Sequence, residues 1–278
     1  MKLRGIWLLA ALLSWAAGPA CAQLQPLPGQ PLQRVFGGGE RKIDVLWHNA
    51  GNKTANVGIS ARMLQASSAT TAEISMTPWK TLQVLPQQTV VESAQLNFPA
   101  VKAETKFLVQ WIAGSNQVLG LTEIMVYPTN LLGELKTLFK DADLGVLDPD
   151  GELKPVLKQN GVPFLSLEET VLEDFHGKLA VIGPFRSSVQ MRDGLAQSIR
   201  KIAAAGVPVV WLQPPVFTGE IMPSFYVAAG NKAAVVVAQP DLTAHFSESP
   251  QSQLNLVRFC KLALNPEPFL IPNLAYQP

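Results

Sequence analysis

Gly206-Val207-Pro208-Val209-Val210-Trp211-Leu212-Gln213 and Lys178-Leu179-Ala180-Val181-Ile182-Gly183-Pro184 are the two stretches whose reading decides the fold. Each carries a short run of consecutive apolar residues with nothing polar alternating among them. A strand with one wet face alternates, so an unbroken apolar run bounded by glycine and proline marks a strand buried on both faces. Val235-Val236-Val237 has the same form. Strands of this kind belong to a parallel sheet with helices on each side.

Around these strands the apolar period changes to that of a helix. Leu131, Leu132, Leu135, Leu138 and Phe139 recur at helical spacing, and Asp143 to Asp148 reads as a strand. Next come a helix near Leu153–Gln159, a strand over Val162–Leu167, a short helix near Glu168–Phe175 and the strand Leu179–Ile182. A helix over Val189–Ala205 leads to the strand Val207–Leu212, a loop over Pro214–Gly230, a strand over Ala233–Ala238 and a last helix near Gln251–Leu264. Ser166 with Glu169, and Ser187 with Gln190, have capping-box spacing, while Ser249-Pro250 sets a cap before a first-turn proline. The expectation is a five-stranded, flavodoxin-like α/β domain over residues 128–266, followed by a proline-rich tail, 267–278, lying as an extended strap.

Upstream of Pro128 the period is that of strands. Ile43, Val45 and Trp47 alternate with Asp44, Leu46 and His48; Val57, Ile59, Ala61 and Met63 alternate with Gly58, Ser60, Arg62 and Leu64. Ile74 and Met76 stop at Pro78, Leu82 and Val84 stop at Pro86, and Val90–Leu96, Lys106–Trp111 and Val118–Tyr127 follow. About seven short strands at this turn spacing predict an immunoglobulin-like antiparallel β-sandwich over residues 41–127. Residues 23–40, rich in Pro, Gln and Gly, read as a flexible lead or a strand-like arm.

The first residues have another character. Lys2 and Arg4 precede the apolar run Ile6–Ala17, Gly18-Pro19 ends it, and Ala20-Cys21-Ala22 is a small-x-small cleavage pattern, which predicts a signal peptide over residues 1–22. The run is shorter than the roughly 20 residues a membrane span needs, so no transmembrane span is expected after cleavage. The protein is therefore expected to be exported, periplasmic or extracellular. Cys21 lacks the usual aliphatic residue three positions upstream, which argues against a lipid anchor there. Cys260 is then alone, in a helical stretch where a buried thiol fits better than a nucleophile. The formal net charge of +1 with 15% charged residues excludes a nucleic-acid partner, which would need a basic excess or stripe.

In an open parallel sheet, ligands bind beyond the carboxyl ends of the strands. That rule selects the loops Asp148–Gly151, Gly183–Ser188, Gln213–Pro215 and Gln239–Asp241. Arg186, Ser187, Ser188 and Gln213 are the candidate ligand-binding residues there, joined in the sandwich by Trp79, an aromatic beside Pro78 on which a sugar face would stack. Trp47, Trp111 and Trp211 fit buried phases instead. Phe217 and Tyr226 lie in the long loop before the last strand. No Gly-x-Ser-x-Gly elbow, Gly-rich phosphate loop, Cys-x-x-Cys or His-Glu-x-x-His is present, and neither a metal nor a cofactor is expected. A catalytic reading needs Asp148, Glu220, Asp241 or His245 to converge over the sheet.

The strand ending in Gly183-Pro184, a helix, and then Gly206-Val207-Pro208-Val209 make the second half similar to class I glutamine amidotransferase-like domains. In that superfamily the first strand supplies backbone near the oxyanion site and the later strand leads into a nucleophile elbow. Here the elbow reads Trp211-Leu212-Gln213-Pro214-Pro215, without cysteine or serine, and no His-x-Glu pair follows. The resemblance implies a degenerate domain, as in accessory portions of secreted bacterial glycoside hydrolases. The expected function is an exported, non-catalytic binding or assembly protein, carbohydrate-related, whose partner is a glycan or an envelope protein. The alternative is an envelope hydrolase with a non-standard carboxylate/His site.

Overall fold

The computed structural model describes residues 24–67, 70–114, 116–140, 143–191, 193–213, 224–229 and 232–266. The expected export segment with Cys21 and the tail 267–278 lie outside the described residues. The chain is mostly β, with several sheets, one of them mixed and containing parallel strands, and few helices. It divides into two units. One holds the described residues up to Gln33 together with Gly39–Pro99 and Glu104–Val126; the other holds Arg34–Gly38, Ala100–Ala103 and the described residues from Tyr127 onward.

The strands of the first half are β1 (Leu24–Pro26), β2 (Gln33–Phe36), β3 (Gly39–Asn49), β4 (Ala55–Ala66), β5 (Thr71–Val84), β6 (Thr89–Phe98), β7 (Thr105–Ala113) and β8 (Gln117–Tyr127). One sheet has the order β1-β3-β6 and the other β2-β8-β7-β4-β5. Alternation sends Ile43, Val45 and Trp47 of β3, Ile59, Ala61 and Met63 of β4, and Phe107, Val109 and Trp111 of β7 into the interior, where all are buried. The two sheets face each other through these side chains. Trp47 meets Trp111 edge-on with ring centroids 5.6 Å apart, and Phe98 meets Phe107 at 5.8 Å.

β5 runs through Pro78 as one strand, where the sequence predicts a break. β5 is the outermost strand of its sheet, where a missing N–H costs little. Its pairing with β4 slips at two places: Ile59 faces Lys80 while Ser60 faces Pro78, and Met63 faces Ser75 while Leu64 faces Glu73. Trp79 and Ile74 are thus extra residues in two bulges.

The lead is ordered work for the sheet rather than loose chain. β1 pairs with the end of β3, and beyond it two glutamine side chains take a strand's place. The Gln30 amide donates to Leu46 O at 3.2 Å and accepts from Leu46 N–H at 2.8 Å; the Gln33 amide donates to Asp44 O at 2.7 Å and accepts from Asp44 N–H at 3.0 Å. Each amide offers the donor and acceptor that a neighbouring residue's backbone would offer.

The second unit contains α1 (Gly133–Leu138), β9 (Leu144–Leu147), α2 (Lys154–Gln159), β10 (Leu165–Ser166), β11 (Leu179–Ile182), α3 (Leu195–Ala205), β12 (Val209–Leu212), β13 (Phe225–Ala229), β14 (Ala234–Ala238) and α4 (Pro250–Leu264). The sheet order is β10-β9-β11-β12-β14-β13. Every residue of β9, β11, β12 and β14 is buried, as their unbroken apolar runs require. One face packs on α1, α2 and α4 through Leu135, Phe139, Val156, Leu157, Leu256 and Cys260; the other packs on α3 through Ile199, Ile202 and Ala203. Ser249 Oγ accepts the Ser252 N–H at 3.1 Å and caps α4, with Pro250 in its first turn.

Three expectations are corrected. The sheet is six-stranded and mixed, because Phe225–Ala229, read as loop, pairs antiparallel with β14. Its side chains divide between the two core layers, Phe225 and Val227 to one and Tyr226 and Ala228 to the other. No α-helix forms over Glu168–Phe175, where a 3-10 turn covers Leu172–Asp174 and Ser166 lies in β10. The helix expected from Val189 begins at Leu195, after Gly194 at φ 78°; Ser187–Gln190 shapes a separate 3-10 turn.

Candidate functional site

Among the parallel strands the chain order across the sheet is second, first, third, fourth, fifth, so the crossovers diverge between β9 and β11. The loops leaving those two strands lie side by side. Gly183 N–H donates to Leu147 O at 2.9 Å, and Gly183 has φ 99° with Leu212 O 2.5 Å from where a Cβ would stand. Only glycine fits that backbone and that approach. The turn it makes carries Arg186 to the Asp150 carboxylate, Nε to Oδ1 3.3 Å, and within 3.9 Å of Glu152. The Gln190 amide completes the link, donating to Asp150 Oδ1 at 3.0 Å and accepting from the Arg186 N–H at 2.6 Å. The Asp150 side chain is 6% exposed, whereas that of Arg186 is 70% exposed.

Asp148, the residue directly after β9, is buried. Its carboxylate accepts the backbone N–H groups of Glu152 at 3.1 Å, Leu153 at 2.9 Å and Lys154 at 2.9 Å, which anchors the start of α2. Burial pushes its carboxyl above the ordinary range, against those three donors and the Lys154 charge. Glu168 Oε1 in turn accepts the Asp148 N–H at 2.8 Å, and its other oxygen meets Lys154 Nζ and Ser166 Oγ. Burial acts to raise the Glu168 carboxyl, but these partners outweigh it and hold the group below the usual carboxylate range. These loops at the carboxyl ends of β9 and β11 form a crest in which the acids are held by backbone amides and by two cations, Lys154 and Arg186.

The other expected residues lie in the turns that follow the strands. The Ser187 N–H donates to Gln190 Oε1 at 3.4 Å, and Ser188 is exposed at the start of the 3-10 turn. Gln213 is half-buried, its N–H donating to Ala238 O at 2.9 Å. Asp241 is exposed in the 3-10 turn Pro240–Thr243. His245, at φ 51°, is exposed and turns the chain into α4, its carbonyl accepting from the N–H groups of Glu248 and Ser249 at 2.9 Å each. Glu220, Pro214, Pro215 and Phe217 lie outside the described residues. Among the described residues no group of three or more His, Cys, Asp or Glu is arranged to hold a metal ion. The strand-end rule selects Asp148 and Asp150 in one loop and Arg186 in the next, and the capping-box spacing selects Gln190, whereas Lys154 and Glu168 are not singled out as site residues by the sequence. Nothing in the spacing of Lys154 and Glu168 announces that they meet.

Trp79 occupies a different setting in the first unit. Its half-buried ring stacks on Trp47 at 6.0 Å between centroids, lies 5.1 Å from the Trp111 ring and has Lys80 Nζ 4.8 Å from its centroid. Beside it a cleft of about 490 Å³ opens between β5 and β6, with buried Met63, Leu96 and Val109 beneath exposed Thr77 and Asn97. The Lys80–Glu92 ion pair ties the two strands together. An aromatic wall with amide and hydroxyl groups at the rim is the chemistry that accepts a sugar ring.

No family model and no curated protein matches this chain. Among solved structures, an alkylpurine DNA glycosylase from Pseudomonas fluorescens aligns over 38% of this chain and 30% of its own, at 9% identity and a TM-score of 0.29. The sporulation control protein Spo0M of Bacillus subtilis aligns over 42% and 55%, at 12% identity and a TM-score of 0.28. A β-glucosidase from Listeria innocua aligns over 38% and 16%, at 10% identity and a TM-score of 0.27. In each case the match spans little more than half of the other protein or less.

Proposed function

We propose that this chain is an exported, non-catalytic binding or assembly protein whose partner is a glycan or another component of the cell envelope. In this reading the first half is an immunoglobulin-like sandwich, supported by its two facing antiparallel layers. The second is a flavodoxin-like domain related to class I glutamine amidotransferase-like domains but without their nucleophile, supported by the strand order and by helices on both sheet faces.

The observation that carries the non-catalytic reading is the crest. Asp148 is committed to three backbone amides, Asp150 to Arg186 and Gln190, and Glu168 to Lys154 and Ser166. A general base needs a free lone pair facing substrate, and these groups have partners where that freedom would be needed. Cys260, the one thiol among the described residues, is fully buried in α4.

The test pairs binding with turnover. On a glycan array the purified protein should bind, and Trp79→Ala, checked for folding by circular dichroism, should weaken binding about tenfold. Absence of binding to any glycan would remove the carbohydrate element. Measurable hydrolysis of glutamine, ester or glycoside substrates, lost with His245→Ala or Asp241→Asn, would replace the proposal with the hydrolase alternative.

A further inference from the structure

Every open sheet ends in two edge strands, and each edge presents unpaired N–H and C=O groups to any extended chain that approaches. Among the described residues the first half has four such edges, and three are blunted. At the β3 side of the first sheet, β1 is three residues long and ends in Pro26, with Gln30 and Gln33 closing the remainder. In the second sheet, β2 is only four residues, and β5 carries Pro78, Lys80 and two bulges. Short strands, proline, lysine and bulges are the devices that stop sheets from joining edge to edge.

β6 has none of them. It is ten residues long, Thr89-Val90-Val91-Glu92-Ser93-Ala94-Gln95-Leu96-Asn97-Phe98, and it pairs with β3 without a register shift. No strand pairs with its other side among the described residues. Its outward row is Thr89, Val91, Ser93, Gln95 and Asn97, all uncharged, and Val91 at 62% exposure is the most exposed large apolar side chain among the described residues of the first unit. Its one charge, Glu92, is neutralised by Lys80.

We infer that β6 is an interface and that its occupant is a second copy of this chain, paired antiparallel across a two-fold axis. The strand is self-complementary in both registers that keep buried and exposed faces matched near its centre. About Ser93, Val90 faces Leu96, Glu92 faces Ala94, Val91 faces Gln95 and Thr89 faces Asn97. About Ala94, Glu92 faces Leu96, Val90 faces Phe98 and Val91 faces Asn97. Neither sets Glu92 against its own copy, so no like charges oppose one another at the dyad. Ten residues at about 3.4 Å each give a ladder of roughly 34 Å, and the three-stranded sheet becomes one continuous sheet through both copies.

Sedimentation equilibrium of the purified protein, combined with amide exchange, tests this. A dimer is expected, with β6 amides exchanging more slowly as protein concentration rises. Val91→Lys with Gln95→Lys adds lysines to an otherwise unblunted edge and should weaken dimerisation at least about tenfold, while Val91→Thr should leave it intact. The tryptophan circular dichroism of the first unit verifies folding of each variant. A monomer at all concentrations, a dimer whose β6 amides exchange independently of concentration, or a dimer indifferent to the two lysines would each overturn the inference; the exchange result on the unmutated protein decides even if the lysine variant does not fold.

Discussion

Replacing Asp148 with alanine removes, in one step, the acceptor for three backbone N–H groups at the start of α2. The Leu153 N–H is buried, so it has no route to water; those of Glu152 and Lys154 are part-buried and can be rehydrated. A buried donor without a partner costs about 1–3 kcal/mol, and loss of a helix-start acceptor about 0.5–2 kcal/mol. One term works the other way. A carboxyl whose folded value lies above its unfolded value stabilises the fold below the unfolded value, and that contribution is lost as pH rises through the folded value. At neutral pH the buried charge of Asp148 is therefore a cost that alanine relieves, which sets the expected net loss near the lower part of the range, about 2 kcal/mol. Asp148→Asn keeps one acceptor oxygen without the charge and should lose about 1 kcal/mol. Urea melts of the second unit should show a midpoint drop of about 1 M for alanine, with faster amide exchange through α2 and the end of β9. A loss below about 0.5 kcal/mol, or α2 amides that stay equally protected, would refute the account of the crest as the anchor of that helix.

Two further predictions concern pH. Glu168, held below the usual range by Lys154 and Ser166, contributes stability that is present above its unfolded value and lost as pH falls through its depressed value, so Glu168→Gln should be less stable than the parent at neutral pH and converge with it in acid; a gap independent of pH would contradict this. Cys260 is pushed up to about 12 by burial from an ordinary value of 9.0, so between those limits the thiol ionises in the unfolded chain alone and stability falls with pH; that alkaline slope should be shallower in Cys260→Ala, and thiol reagents should label the native protein only after it unfolds.

The parts of the fold legible in the sequence are those in which one pattern has one cause. The unbroken apolar runs of β9, β11, β12 and β14 follow from burial on both faces, and period-2 alternation in β3, β4 and β7 follows from two facing layers. Pro78 predicts a break and yet lies within β5, because proline ends a central strand but not an outer, bulged one. β13 is not legible in the sequence because Phe225–Ala229 is a short edge strand whose alternation only gains meaning once β14 is beside it. Ser166 and Glu169 have the spacing of a helix start, yet Ser166 is in β10 and its hydroxyl is taken by Glu168. The strand-end rule located the loops of the crest, but the pairing of Arg186 with Asp150 rather than Asp148 depends on which carboxylate α2 claims first, and that is a matter of three-dimensional backbone geometry.

The glutamine clasp on β3 also bears on the order in which the sheets assemble. Gln33 reaches Asp44 across 11 positions of chain and Gln30 reaches Leu46 across 16, whereas Met63 of β4 meets Val109 of β7 only after a far longer loop has closed. Loop-closure entropy grows with the logarithm of that separation and slows the long-range pairings. During folding, that margin of β3 can be sealed by nearby side chains before its other margin finds β6, whose nearest partner pair, His48 with Thr89, is 41 positions apart, so the time β3 spends sticky on that side is short. Among the described residues β6 has no comparable side-chain clasp, so in the inferred dimer that margin is closed only when a second copy meets it.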